Sequence, residues 1–149
     1  MGGQLVFSPA SDCPLAGRKI LVVEDEWLLA CGLEDILGRW GCRVLGPFAR
    51  AADATAALAD RTAPRPDLAL LDLNLADGSS LPVAERLARL GVPFLLVSAC
   101  GSLPRDAAAV LRAAPHLTKP VPDDHLRRAM RQSLAARRCS LEHPADRVA

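Results

Sequence analysis

Residues 19–24, KILVVE, form a continuous apolar run that ends abruptly in an acidic residue. Such a run is typical of a strand that is buried on both faces of a parallel sheet. Apolar residues then recur at helical spacing from Glu26 to Trp40, and Gly41 is suited to end that helix. This stretch therefore predicts one β-strand followed by one α-helix.

The same alternation of strand and helix recurs four more times along the chain. The further predicted strands are Cys42–Pro47, Asp67–Leu71, Pro93–Ser98 and His116–Thr118. The further predicted helices are Arg50–Arg61, Ser80–Leu90, Pro104–Ala113 and Asp123–Arg138. Alternating buried strands and helices predict an α/β fold, a doubly wound parallel sheet of five βα units with helices on both faces.

Length and composition favour one folded domain in the cytoplasm. The chain has 149 residues, of which 50% are hydrophobic and 23% are charged, and its net charge is +1. The five cysteines form no CxxC pair, which favours free thiols in a reducing compartment. We expect a flexible leader over residues 1–16, a folded domain over 17–138 and a frayed tail over 139–149.

Polar residues stand where the predicted strands end. In a doubly wound sheet, ligands bind beyond the carboxyl ends of the strands. The residues at those ends are Glu24 and Asp25 after the first strand, Asp72 and Asn74 after the third, Ser98 and Ala99 at the fourth, and Lys119 after the fifth. We therefore expect them to form one site.

The charges at these strand ends predict a cation site. Two carboxylates about 4 Å apart repel each other by roughly 4 kcal/mol at an effective dielectric constant near 20, so a cluster of three requires cations. Lys119 supplies one positive charge and is one of only two lysines in a chain with 18 basic residues. A divalent ion would supply the rest, and ligands that are all oxygen suit Mg²⁺ or Mn²⁺.

Four short segments, taken in order, resemble the receiver domain of two-component response regulators. They are ILVVEDE (20–26), LLDLNLADG (70–78), LLVSA (95–99) and LTKP (117–120). The segment PFLLVSACGS (93–102) is further similar to the loop after the fourth strand in receivers of alphaproteobacterial type. The resemblance covers about residues 18–138 and implies a flavodoxin-like fold with strand order 2-1-3-4-5.

The resemblance implies a role for each acidic position. Asp72 matches the phosphoacceptor, whose carboxylate attacks a phosphohistidine and becomes an aspartyl phosphate. Glu24 and Asp25 match the acid pair that holds Mg²⁺ together with Asp72 and the backbone carbonyl of Asn74. The implied phosphodonor is a histidine kinase or a histidine phosphotransfer protein.

The resemblance also covers the residues that contact the phosphoryl group. Lys119 matches the lysine that pairs with it, Ser98 the hydroxyl that turns toward it, and Ala99 the small residue that leaves it room. In the fifth strand, many receivers carry an aromatic residue that changes rotamer on activation, whereas this chain has no tyrosine and carries His116. His116 is therefore a candidate pH-sensitive switch residue, the alternative being a histidine at the surface end of a strand.

These features together favour a single-domain receiver, because only residues 139–149 follow Arg138. We expect it to act by binding a target protein or a second copy of itself through the face of the fourth helix, fifth strand and fifth helix. We do not expect it to be an enzyme that turns over an external substrate. A receiver that binds partners without phosphate is the alternative. A phosphohydrolase of the haloacid dehalogenase type is disfavoured because Asp72-x-Asn74 lacks its second aspartate.

Nucleic acid and membranes are not expected partners. The last predicted helix is rich in arginine but has no interleaved aromatic residues, and Asp123 and Asp124 offset its charge. The apolar runs are too short to span a bilayer.

Overall fold

The computed structural model of the protein describes residues 14–142. The strands are β1 (Lys19–Val23), β2 (Arg43–Phe48), β3 (Leu68–Leu71), β4 (Asn74–Leu75), β5 (Gly78–Ser79), β6 (Phe94–Ser98) and β7 (His116–Thr118). The helices are α1 (Trp27–Arg39), α2 (Ala51–Ala59), α3 (Leu81–Leu90), α4 (Ala109–Arg112) and α5 (Asp123–Glu142).

Five of the strands form one parallel sheet in the order β2-β1-β3-β6-β7. The remaining two, β4 and β5, form a small antiparallel ladder in the loop that follows β3. When only the strands of the main sheet are counted, their order is 2-1-3-4-5, so the predicted flavodoxin-like fold is confirmed. Because all five strands run in the same direction, their carboxyl ends lie along one edge.

The sheet is buried by an apolar layer on each face. Leu21 and Val23 of β1 pack toward the layer that contains residues of α2, α3 and α4. Ile20 and Val22 point the other way, into the layer that contains residues of α1 and α5. This alternation explains why β1 is apolar along its length: both of its faces are covered.

The fourth helix is shorter than the sequence predicts. Pro104 was expected in its first turn, but the Pro104 carbonyl instead accepts a hydrogen bond from the Ala107 N–H at 3.0 Å, which closes an isolated turn. Ala108 then has an extended backbone, with φ −57° and ψ 146°, and the helix begins at Ala109. The high helix propensity of the alanines is a weak preference that the local backbone overrides.

Both ends of the folded domain differ from the expected boundaries. Leu15, which was expected to lie in the flexible leader, is buried in the apolar layer beside α1 and α5. α5 continues to Glu142, past the predicted boundary at Arg138. Arg137 anchors this part of the helix by donating a hydrogen bond to the carbonyl of Asp67, the residue before β3, at 2.9 Å. Residues 1–13 of the predicted leader and 143–149 of the predicted tail lie outside the described residues.

No helix within residues 14–142 combines the length and the apolar character that a membrane crossing requires.

Candidate functional site

Three carboxylates converge beyond the adjacent strands β1 and β3. Glu24 and Asp25 follow the last residue of β1, and Asp72 follows the last residue of β3. The backbone fixes this arrangement, since the Asp72 N–H donates to the Val23 carbonyl at 3.0 Å and the Glu24 N–H donates to Phe48 at 2.9 Å. One carboxylate oxygen from each acid lies within 4.8 Å of the other two.

Lys119 brings a cation from the edge strand to this cluster. Its Nζ lies 2.6 Å from Glu24 Oε2 and 3.0 Å from Asp72 Oδ2. Its backbone is held in place because the Lys119 N–H donates to the Ser98 carbonyl at 2.8 Å. The peptide bond between Lys119 and Pro120 is cis. The single ammonium therefore bridges two of the three carboxylates.

The electrostatics of the cluster reflect its burial. Glu24 is only 4% exposed, and this burial raises its pKa although the Lys119 ammonium and the Glu26 N–H, which donates to Oε1 at 3.1 Å, both lower it. Burial lowers the pKa of Lys119, but its bonds to Glu24 and Asp72 outweigh that effect and raise the pKa above the usual value. Lys119 is therefore charged at neutral pH.

The donor set fits a hard divalent cation. When all three carboxylates are ionised, Lys119 offsets only one of their negative charges, which leaves room for a doubly charged ion. Every side-chain donor in the group is a carboxylate oxygen, and oxygen is the ligand that Mg²⁺ and Mn²⁺ prefer. Asp25 is exposed and Glu24 is buried, so the group opens to solvent on one side.

Ser98 and Ala99 lie at the end of β6, between β3 and β7. Ser98 is 1% exposed, and its Oγ lies 3.0 Å from His116 Nε2 and 3.3 Å from the Cys100 carbonyl. Ala99 is exposed. The structure thus places the Ser98 hydroxyl against His116 and the Cys100 carbonyl.

The loop after Asp72 is anchored by a residue to which the sequence analysis assigned no role. Asp77 accepts hydrogen bonds from the Ala51 N–H at 2.8 Å and the Ala52 N–H at 3.0 Å. These bonds, the one from Ala52 first, lower the pKa of the Asp77 carboxyl. They cap the start of α2, whose own N-cap residue, Arg50, makes no side-chain capping bond. In the sequence, the Asp77-Gly78 pair is typical of a turn and gives no sign of this capping role.

An exposed apolar patch borders the site. Trp27, Leu28 and Leu29 at the start of α1 are 73%, 70% and 37% exposed; we refer to them as the α1 apolar patch. The buried residues of α1 are Ala30 and Leu37, so these three side chains lie outside the buried face of the helix. The patch directly follows Asp25 and Glu26 in the chain, so it begins two residues from one of the three carboxylates.

Comparison with known proteins identifies the family. The family model described as "Response regulator receiver domain" matches residues 20–131. The chain belongs to this receiver family. The resemblance found in the four sequence segments is therefore confirmed. Receiver domains interact with histidine kinases and target proteins, typically bind Mg²⁺ in an acidic pocket and are generally not turnover enzymes.

Solved structures of receivers are similar over most of the chain. The response regulator PhyR from Brucella abortus is 26% identical with a TM-score of 0.69, and the match covers 87% of this chain and 52% of that one. SdrG from Sphingomonas melonis Fr1 is 33% identical with a TM-score of 0.66, and the match covers 82% of this chain and 99% of SdrG. A CheY-like receiver from Methanospirillum hungatei JF-1, 22% identical, shares the fold with a TM-score of 0.72, covering 84% and 99%.

The receiver spans about half the length of the PhyR proteins from Brucella abortus and Bartonella quintana that it matches. A comparison with curated proteins found no match.

Proposed function

We propose that this receiver accepts a phosphoryl group on Asp72 from a histidine kinase or a histidine phosphotransfer protein, and that the modification changes its contacts with other proteins. The observation that carries the proposal is the pair of bonds from Lys119 Nζ to Asp72 and Glu24, within a cluster of three carboxylates. An aspartate that accepts a dianionic phosphoryl group must be partly accessible and must have a positive charge fixed beside it. Asp72 meets both conditions.

The transfer is a substitution at phosphorus. An Asp72 carboxylate oxygen attacks the phosphorus of the donor, a P–O bond forms, and the P–N bond of the phosphohistidine breaks. The electron pair of that bond goes to the imidazole, which leaves with the donor protein. Lys119 already contacts Asp72 Oδ2, so its ammonium is in position to pair with the oxygens of the transferred group.

Glu24, Asp25 and Asp72, with the backbone carbonyl of Asn74, are the residues we assign to hold Mg²⁺ or Mn²⁺. When bound, the ion supplies positive charge that offsets the charge of the carboxylates and of the phosphoryl oxygens. Glu24 orients the cluster from its buried side, since its Oε1 is fixed by the Glu26 N–H and its Oε2 by Lys119.

We assign Ser98 and Ala99 to the phosphoryl group as well. A rotation of the Ser98 side chain releases its hydroxyl from His116 and Cys100. After phosphorylation, the hydroxyl donates to a phosphoryl oxygen. Ala99 carries only a methyl group beside the site and leaves space for that oxygen.

The α1 apolar patch is the surface we assign to the phosphodonor protein. A phosphohistidine reaches Asp72 only if its protein covers the residues around the site, and Trp27 and Leu28 are the large apolar side chains exposed there. Aromatic side chains of this kind are enriched in protein interfaces. The output surface, for a target protein or a second copy, is the face of α4, β7 and α5.

We also propose that the protein acts in the cytoplasm. Free thiols are typical of a reducing compartment, and Cys31, Cys42, Cys100 and Cys139 are free.

The proposal is tested by intact-protein mass spectrometry after incubation with acetyl phosphate or phosphoramidate, with and without Mg²⁺. We expect a gain of one phosphoryl group that requires Mg²⁺. Asp72→Asn should abolish the gain, and Asp53→Asn, which removes an exposed carboxylate on α2, should retain it. Full phosphorylation of Asp72→Asn would contradict the assignment. A wild-type protein that binds Mg²⁺ but accepts no phosphoryl group from either donor or from a phosphorylated histidine kinase would favour a phosphate-independent binding module.

A further inference from the structure

We infer that His116 is a positioning residue that holds the hydroxyl of Ser98 away from the phosphoryl site until Asp72 is modified. The inference rests on the proposed function and deepens it, because it names the group that competes with the phosphoryl oxygens for this hydroxyl. The observation is the 3.0 Å separation between Ser98 Oγ and His116 Nε2 inside the protein.

The pairing of β6 with β7 holds the backbone of Ser98 in place. β6 and β7 are paired in parallel, with Leu96 opposite His116 and Ser98 opposite Thr118. The Ser98 carbonyl also accepts the Lys119 N–H at 2.8 Å. With its backbone held on this side, Ser98 redirects its hydroxyl by rotation about χ1 and not by movement of the strand.

The hydroxyl has one proton and two polar neighbours in this position. The Cys100 carbonyl, 3.3 Å away, only accepts a hydrogen bond. His116 Nε2 either accepts the hydroxyl proton or, in the other tautomer, donates its own proton to Oγ while the hydroxyl donates to Cys100. In both arrangements the single proton of the Ser98 hydroxyl is already used. Ser98 is 1% exposed, which keeps water from replacing either partner.

A phosphoryl group on Asp72 therefore competes with these partners. To donate to a phosphoryl oxygen, Ser98 must give up its bond to His116, and the imidazole at the edge of the sheet then loses its partner on β6. The two states differ in which group the buried hydroxyl contacts, and each excludes the other. This exchange links the modification of Asp72 to the position of a side chain on β7.

The bond to His116 should therefore lower the equilibrium constant for forming the state in which Ser98 contacts the phosphoryl group. Breaking one neutral hydrogen bond in a protein changes an equilibrium constant by about two- to tenfold. His116→Phe keeps a planar ring of similar size but removes the nitrogen, so it should remove this effect. His116→Gln retains a polar terminus and should preserve most of it.

The test uses beryllium fluoride, which adds to a carboxylate oxygen as a stable mimic of the phosphoryl group, in the presence of Mg²⁺. Its dissociation constant is measured for the wild type, His116→Phe, Ser98→Ala and the double variant. We expect His116→Phe to bind about two- to tenfold more tightly than the wild type, and His116→Gln, measured in parallel, to resemble the wild type. In the Ser98→Ala background, His116→Phe should have no further effect, because a positioning residue acts through its partner.

The double-variant cycle separates positioning from packing. An equal effect of His116→Phe with and without Ser98 would overturn the inference, as would weaker binding by His116→Phe alone. If His116→Phe does not fold, ¹⁵N NMR of the His116 ring in the wild type replaces it: its resonances should shift on addition of beryllium fluoride, and should not shift in Ser98→Ala.

The same measurements distinguish a failure of the proposed function from a failure of the role of His116. If the wild type does not bind beryllium fluoride at Asp72, the proposed function and this inference both fail. If it binds and Asp72→Asn does not, yet His116→Phe equals the wild type, only the role of His116 fails.

Discussion

Lys119 Nζ lies 3.0 Å from Asp72 Oδ2, although the two residues are 47 positions apart in the chain. They meet because β3 and β7 end at the same edge of the sheet, with only β6 between them. The contact joins the residue that we propose as phosphoacceptor to a cation that is charged at neutral pH. Since Lys119 also bonds to the buried Glu24, the lysine serves both the stability of the site and its chemistry.

Replacing Lys119 with methionine should destabilise the protein in a way that Mg²⁺ partly reverses. The change leaves the Glu24 side chain, 3% exposed, without its cation, and breaking a buried pair costs about 3–5 kcal/mol. Denaturant unfolding with and without Mg²⁺ measures this loss. A bound divalent ion should restore part of it, because the ion takes over the neutralisation of the carboxylates.

The matched control for Lys119→Met is Arg39→Met. The pair of Arg39 with Asp35 has the same 2.6 Å separation as that of Lys119 with Glu24, but both of its side chains are exposed. We expect a change of about 0.5 kcal/mol or less, independent of Mg²⁺. An equal loss for Lys119→Met at all Mg²⁺ concentrations would show that the carboxylates do not hold the ion.

The sequence predicted the parts of the site that depend on strand ends. Glu24, Asp25, Asp72 and Lys119 were expected at one edge because each follows a predicted strand, and parallel strands of a doubly wound sheet end together. Those four residues do converge. For β1 and β3 the apolar run itself carries the signal, because both strands are buried along nearly all of their length.

Contacts between side chains could not be predicted in the same way. The bond between Ser98 and His116 depends on rotamers, and the bonds from α2 to Asp77 depend on how a loop folds back across 25 or 26 residues of sequence. The fourth helix was overestimated because its alanines fit a helix, while the turn at Pro104 depends on the local backbone.

Binding of Mg²⁺ should change the fluorescence of Trp27. This indole is two residues from Asp25 in the chain and 73% exposed, so we expect its emission to respond when a charged ion binds at the carboxylates. Trp40 packs beneath Arg127, with the guanidinium 5.7 Å from the ring centroid, and should contribute a constant background. A titration of the wild type, Trp27→Phe and Trp40→Phe separates the two signals.

In the same titration, Asp25→Asn should weaken Mg²⁺ binding by about tenfold or more, because even indirect support of a metal ligand is worth about that much. Glu34→Gln removes an exposed acid from the neighbouring helix α1 and serves as the control. Equal affinities for the two variants would exclude Asp25 from the site.

Asp77→Ala should lower the melting temperature at neutral pH. The hydrogen bonds from α2 lower the pKa of the Asp77 carboxyl in the folded protein, so its stabilising contribution is fully present above the unfolded pKa of about 3.9. It is lost as the pH falls through the lower, folded pKa. The difference in melting temperature between wild type and variant should therefore be constant near neutral pH and shrink in acid.

The control for Asp77 is Asp106→Ala, which removes an exposed acid from the loop before α4. Its effect on the melting temperature should be small at every pH. If Asp77→Ala shows no pH-dependent difference from the wild type, the carboxylate does not anchor α2.

The size of residue 99 should control access of the phosphoryl group. Ala99→Leu adds bulk beside the site, and we expect it to slow phosphorylation by acetyl phosphate about tenfold or more while Mg²⁺ binding stays unchanged. Ala99→Gly adds no bulk and should react at nearly the wild-type rate. The rate is followed by intact-protein mass. Equal rates for the leucine and glycine variants would contradict the proposed role of Ala99.

The central claim is that Asp72 is the phosphoacceptor, and the most direct test is to identify the modified residue by borohydride trapping. Borohydride reduces an acyl phosphate to an alcohol, so phosphorylated protein treated with it and digested should carry homoserine in place of aspartate. The account predicts homoserine at position 72, only after incubation with the phosphodonor and Mg²⁺. Homoserine at another acidic position, or phosphorylated protein that resists reduction, would contradict the assignment of Asp72 as the phosphoacceptor.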